Sequence, residues 1–146
     1  MTDSTPILGT GFLIAVYGIA AVCFLALDML WLGVLARGFY RQHLGHLLAA
    51  QVNWGAALLF YAVFLAGLVL FVLKPSLEAG SAVRALTHGA FFGLVTYATY
   101  DLTNHATMRD WPASVTIADL AWGATISGVV AFTTHTLAAR WLRSAA

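Results

Sequence analysis

Charge is scarce in this chain. Of 146 residues, 9% are Asp, Glu, Lys or Arg, where an ordinary globular chain carries about 25%. Seven basic residues leave a net charge of +1, too little to track a phosphate backbone, and this excludes a nucleic-acid binder. Cysteine occurs once, at Cys23 inside an apolar run, so the chain has no internal disulfide and no cysteine-based metal site. No serine stands in a GxSxG setting, and there is no glycine-rich phosphate loop and no His-rich metal motif. No cofactor is specified. What is abundant is apolar: 61% of the residues, with a mean hydropathy of +0.85. A soluble domain of this size has too much surface for its volume to hide that many apolar side chains. A soluble enzyme and a disordered tail are both excluded, and the lipid bilayer is the first partner of an integral membrane protein.

A membrane helix needs about 20 mostly apolar residues. Four runs qualify, at about 8–35, 54–73, 85–105 and 115–139. Lys74-Pro75-Ser76 ends the second run, because proline does not continue a helix past its first turn. Arg109-Asp110-Trp111-Pro112 forms a tight turn between the third and fourth. The first run has no basic region before it and exceeds the length of a signal-peptide core, so it is expected to remain in the mature chain. Between runs one and two, the stretch Arg37 to Ala50 sets Phe39, Tyr40, Leu44, Leu47 and Leu48 near one helical face. That pattern suits a short interfacial helix or an extension of the first helix, with a solvated connector as the alternative. The expected fold is all-α: a four-transmembrane-helix bundle in one integral membrane domain, with a short interfacial amphipathic segment between helices one and two.

Four crossings put both termini on one side, here side A. Side A carries Lys74, Arg84, Arg140 and Arg143; side B carries Arg37, Arg41 and Arg109. Four against three favours termini in the cytoplasm by the positive-inside rule.

Three of the six acids, Asp28, Asp101 and Asp119, fall inside the runs. An ionised Asp at mid-helix costs about 2.5–3.5 kcal/mol on the insertion scale, so these must face protein interior or a wet cavity. Counting residues from the run ends puts all three roughly 6–10 Å below the side-B surface. Trp31 lies one turn from Asp28. Asn53 and Trp54 open the second run, Tyr97, Tyr100 and Asn104 surround Asp101, and Trp122 follows Asp119. On the third helix Gly89, Gly93, Tyr97, Asp101 and Asn104 share one face. The Gly89/Gly93 pair is a small-residue packing face, and it or another helix face offers a route to a homo-oligomer. His88 and His135 lie off the Asp101 and Asp119 faces, which argues against a straight proton wire. Asp-x-x-Trp occurs at 28–31 and again at 119–122, but both copies lie at side B, unlike an inverted repeat.

Three motifs stand out: Asp28-Met29-Leu30-Trp31-Leu32-Gly33, Tyr100-Asp101-Leu102-Thr103-Asn104 and Asp119-Leu120-Ala121-Trp122-Gly123. With Arg37-Gly38-Phe39-Tyr40-Arg41 and Asn53-Trp54, they make the chain, from about residue 10 to 140, resemble a family of small bacterial membrane proteins known as domain of unknown function twenty-one seventy-seven. The resemblance implies a four-helix protein of the bacterial inner membrane and no particular activity.

Two readings of the carboxylates stand side by side. They are struts paired with Arg37, Arg41 and Arg109, or they form a binding pocket for a cation, proton or small polar molecule, with Trp31, Asn53, Trp54, Tyr97, Tyr100, Asn104 and Trp122 around it. Asn53 and Asn104 have the competing role of caps or interhelical hydrogen-bonders, and the aromatics that of belt or core. At the level of function, binding or transport is favoured. The alternatives are an enzyme, or enzyme subunit, that modifies membrane lipid at the interface with Asp as general base, and a purely structural accessory subunit.

Overall fold

The computed structural model describes residues 8–144, and side chains as far as Trp141; Asp3 and the side chain of Arg143 lie outside the described residues. Every described element is a helix. Helix α1 is Thr10–Leu35, whose last part, Trp31–Leu35, is a π-helical turn. Helix α2 is the short Arg37–Leu44. Helix α3 is Trp54–Glu78, with a second π-helical turn at Val69–Leu73. Helices α4, Ala82–Thr107, and α5, Ala113–Ser144, complete the chain. Long runs of Ala, Leu, Val and Phe give helices because a chain in lipid must satisfy its backbone groups within each segment.

Helices α1 and α3 and the Ala113–Trp141 part of α5 are long and apolar enough to cross a membrane. Helix α4 has 26 residues but a polar end, Tyr100-Asp101-Leu102-Thr103-Asn104-His105. The architecture is therefore all-α with three strongly apolar helices and a fourth, less apolar one of similar length. The outer surfaces agree with a lipid setting: Ile14, Val22, Leu58, Val63, Phe71 and Phe91 are all exposed.

The interfacial segment is helical only as far as Leu44, and Leu47 and Leu48 beyond it are exposed. The second apolar run does not end before Lys74 as its proline suggests. The π-turn widens the backbone just ahead of Pro75, Lys74 N–H bonds back to the Val69 carbonyl, and the helix runs on to Glu78. A widened turn relieves the clash between a proline ring and the carbonyl four residues earlier. The helix then stops in a Schellman arrangement. Ser81 N–H bonds the Ser76 carbonyl and Gly80 N–H the Leu77 carbonyl, both at 3.0 Å, with Gly80 at φ 60°. Ser81 caps α4 through Arg84 N–H at 3.2 Å. The α4–α5 turn places Asp110 at φ 58°, a left-handed position that Asp tolerates better than most residues.

Helices α4 and α5 form the tightest pair. A side chain at Gly93 would strike the Gly123 carbonyl, and one at Gly123 would strike the Tyr97 ring. The Gly89/Gly93 face is thus used up inside the chain. It is not free for a homo-oligomer, because α5 already occupies it. Helix α1 packs on α5, and its buried stripe Val16, Ala20, Phe24 repeats every fourth residue. The next position in that stripe is Asp28, also buried.

Candidate functional site: an aromatic-walled carboxylate pocket

The stripe geometry decides what Asp28 meets. Its Oδ2 accepts a hydrogen bond from the Tyr61 hydroxyl of α3 at 2.6 Å, and its Oδ1 one from Trp122 Nε1 of α5 at 3.3 Å. Three helices are tied together at one carboxylate. Trp122 is held in turn by Trp31, which stacks on it with centroids 4.3 Å apart and planes 8° from parallel. The two Asp-x-x-Trp segments therefore interlock, the Asp of the first bonding the Trp of the second and the two tryptophans stacking.

Helix α2 folds back over this cluster. Trp31 Nε1 donates to the Tyr40 hydroxyl at 3.1 Å, and that hydroxyl donates to Asp119 Oδ1. Burial, and then the hydrogen bond to Asp119, push the Tyr40 phenol well above its ordinary range, so it remains a donor. The π-turn at Trp31–Leu35 is followed by a single bend at Ala36 and then by α2, so Tyr40 lies only nine residues after the Trp31 it bonds.

Asp101 differs from the other two. It is 0% exposed, and neither of its carboxyl oxygens receives a hydrogen bond from any N–H or O–H of the described residues. The Asp119 carboxyl stands beside it. Two carboxyls can bond each other only through a proton that one of them carries.

All three carboxylates line one half-open cavity of about 520 Å3, with Tyr40, Tyr61, Tyr97, Tyr100 and Trp122. Leu32, Phe60, Phe64 and Thr96 complete its wall. The volume lies within the range of small-molecule sites, about 300–1,000 Å3. Asp101 lies six residues before the end of α4 and Asp119 six after the start of α5. Asp28 lies seven before the end of α1. All are thus about 9–11 Å from the helix ends on one side.

Residues 13–136 match the family described as a predicted membrane protein, DUF2177. The chain belongs to the DUF2177 family. No curated protein and no solved structure matches it. The family description carries no reaction, so chemistry must be read from the pocket.

In this DUF2177 protein the residues expected at the site sort into three groups. Asp28, Tyr97, Tyr100, Asp101, Asp119 and Trp122 come together on the cavity. Trp31 stands behind the wall, supporting Trp122 and Tyr40. Asn53, Trp54 and Asn104 do not line it. Asn53 spends its side-chain oxygen on Ala56 N–H at 3.1 Å, capping α3, and Trp54 is 70% exposed. The expected charge partners also need correction. Arg37, Arg41 and Arg109 are exposed, and the one ion pair among the described residues is Lys74–Glu78 at 2.8 Å. Phenol and indole donors take the place of guanidinium on Asp28 and Asp119, because they can be held within an apolar wall at less desolvation cost than a charge. Among the described residues no three His, Cys, Asp or Glu side chains converge on a metal-sized site.

Tyr40, Tyr61, Phe60, Phe64, Thr96 and Leu32 are cavity residues that were not among the expected site residues. Tyr61 had a signal: it is the only hydroxyl side chain in the long apolar run of α3, and a buried phenol needs an acceptor. Tyr40 was visible only on the amphipathic face and in the Arg37–Arg41 motif, and a local pattern does not show that a segment folds back onto distant helices. His88 and His135 stay apart from the cavity. His88 meets the Arg84 carbonyl of its own helix at 3.1 Å, and buried His135 meets the Ser76 carbonyl at 3.1 Å.

Proposed function

We propose that this protein is a small four-helix membrane protein that binds, within the bilayer, a molecule presenting a cationic or hydrogen-bond-donating group to its three aspartates. In this reading α4 crosses the membrane with the other three long helices, and both termini face the cytoplasm of a bacterial inner membrane. Any self-association uses a face other than that of Gly89 and Gly93. The observation that carries it is Asp101: a fully buried carboxyl on a cavity wall with both oxygens unmet by any donor of the described residues. A buried acceptor without a donor is costly, and natural proteins leave few. The neighbouring carboxyls are already served, so a donor brought by a ligand has an obvious destination. Binding is the first step of transport, and the same geometry supports both.

The test uses wild-type protein and Asp101→Asn in phosphatidylcholine nanodiscs. Thermal unfolding is followed against a series of primary alkylammonium ions from methyl to hexadecyl. At least one member should raise the wild-type Tm by several degrees and leave the variant unmoved. A series in which no member distinguishes the two proteins would end the proposal.

A further inference from the structure

The cavity is graded along the membrane normal. Asp101 and Asp119 lie six residues from the helix ends, about 9 Å deep, whereas Phe64 lies ten residues into α3 and Thr96 eleven from the end of α4, about 15–17 Å deep. The shallow end is acidic and the deep end is apolar. Thr96 adds no polarity there, because its hydroxyl is bonded to the Phe92 and Gly93 carbonyls of its own helix.

Access is also directional. Towards the nearby helix ends Tyr40 of α2 bonds Asp119, with the Trp31–Trp122 stack beside it. On the bilayer side the rim is open. Helix α3 packs on α4 mainly through its Val69–Glu78 part, and nearer side B through Phe64, whose ring meets those of Phe92 and Tyr97. Beyond Phe64 the cavity-lining Phe60 is 50% exposed, across the gap Tyr100 of α4 is 62% exposed, and the lining Leu32 of α1 is 42% exposed. In a membrane those surfaces meet acyl chains.

Resting on the binding reading above, we infer that the ligand is a bilayer-resident single-chain amphiphile that enters sideways between α3 and α4. Its head donates hydrogen bonds and carries no phosphate, and its tail descends past Phe60 and Tyr100 towards the Phe64–Thr96 level. The head chemistry follows from the lining. Three carboxyls and no Arg, Lys or His face the cavity, so an anionic phosphate would meet like charge in a medium of low dielectric. An ammonium or hydroxyl head at the depth of Asp101 meets an acceptor instead, and an alkyl chain attached to it reaches the Phe64–Thr96 level without leaving apolar surroundings.

Photolabelling in phosphatidylcholine nanodiscs tests this, with hexadecylamine carrying a mid-chain diazirine as probe. Label should fall on peptides containing Leu32, Phe60 or Tyr100. It should drop several-fold with excess unlabelled hexadecylamine, in Asp101→Asn, and in Thr96→Trp, which fills the deep end without touching the carboxylates. Equal competition by methylamine would make the ligand water-borne and overturn the amphiphile, while leaving the binding proposal standing. Equal competition by hexadecyl phosphate would overturn the head chemistry. Label that neither variant reduces would be ordinary contact with surrounding lipid and would remove both proposals.

Discussion

Asp28 and Asp101 are the same residue type at nearly the same depth, and their surroundings assign them different work. Asp28 joins α1 to α3 and α5 through two donors, so it is a structural knot as well as a cavity wall. Asp101 accepts from no N–H or O–H donor of the described residues and has only the Asp119 carboxyl beside it. Tyr61→Phe removes the 2.6 Å bond to Asp28 and should lower stability by about 1 kcal/mol, within the range of measured interhelical hydrogen bonds in membranes. Asp101→Asn strands no arginine, since none is near. Its stability should stay within about 1 kcal/mol of wild type, whereas breaking a buried ion pair costs about 3–5 kcal/mol. Unfolding in mixed micelles with graded denaturing detergent reads both. A loss of several kcal/mol in Asp101→Asn would restore the strut reading. The three aspartates were legible in the sequence, because carboxylates inside apolar runs are few and their distances from the run ends agree. Their partners were not. Counting charges suggests arginine for every buried acid, but Arg37, Arg41 and Arg109 stand at helix ends where water is available, and hydration outcompetes a buried pairing.

At the scale of elements, the α4–α5 pair fixes the pocket. Asp101 and Asp119 are brought together because Gly93 and Gly123 let two backbones approach below the carboxyls. Gly93→Ala places a methyl group against the Gly123 carbonyl and Ser127 Oγ. Backbone cannot turn aside as a flexible side chain can, so the variant should lose at least 1–3 kcal/mol, the usual cost of overpacking. Gly18→Ala in α1 meets nothing within 4 Å and should be neutral or gain up to about 1 kcal/mol from the lower helix propensity of glycine. Equal losses in the two variants would show that the close approach is not what Gly93 provides. The glycine face was visible as a spacing, but its occupant was not, since a small-residue stripe fits a neighbour in the same chain as well as a second copy. The two π-turns left no trace in apolar periodicity. Val69–Leu73 is apolar throughout, and only Pro75 behind it hints that the ladder must shift.

For the whole molecule, the placement of α4 decides the topology. Its first half buries Ala85, Gly89 and Gly93, while its other end carries Asp101 and the polar residues around it. Of these, Asp101 is turned inward and buried, while Tyr100, Thr103 and His105 are exposed, so whether the helix crosses has to be tested directly. If α4 crosses, Ala79 and Arg109 lie on opposite faces; if it lies along the interface, they lie on the same face. In a Cys23→Ala background, Ala79→Cys and Arg109→Cys, both at exposed positions, should react with a membrane-impermeant maleimide from opposite sides of intact spheroplasts. Gln51→Cys should follow Arg109→Cys, because α3 must cross between positions 51 and 79. With Lys74, Arg84, Arg140 and Arg143 on the Ala79 side, that side is expected to be cytoplasmic. In the proposed orientation the pocket, about 9–11 Å from the opposite helix ends, would open into the leaflet away from the cytoplasm. Labelling of both Ala79→Cys and Arg109→Cys from the same side would remove α4 as a span, and with it the depth that puts Asp101 level with Asp28 and Asp119.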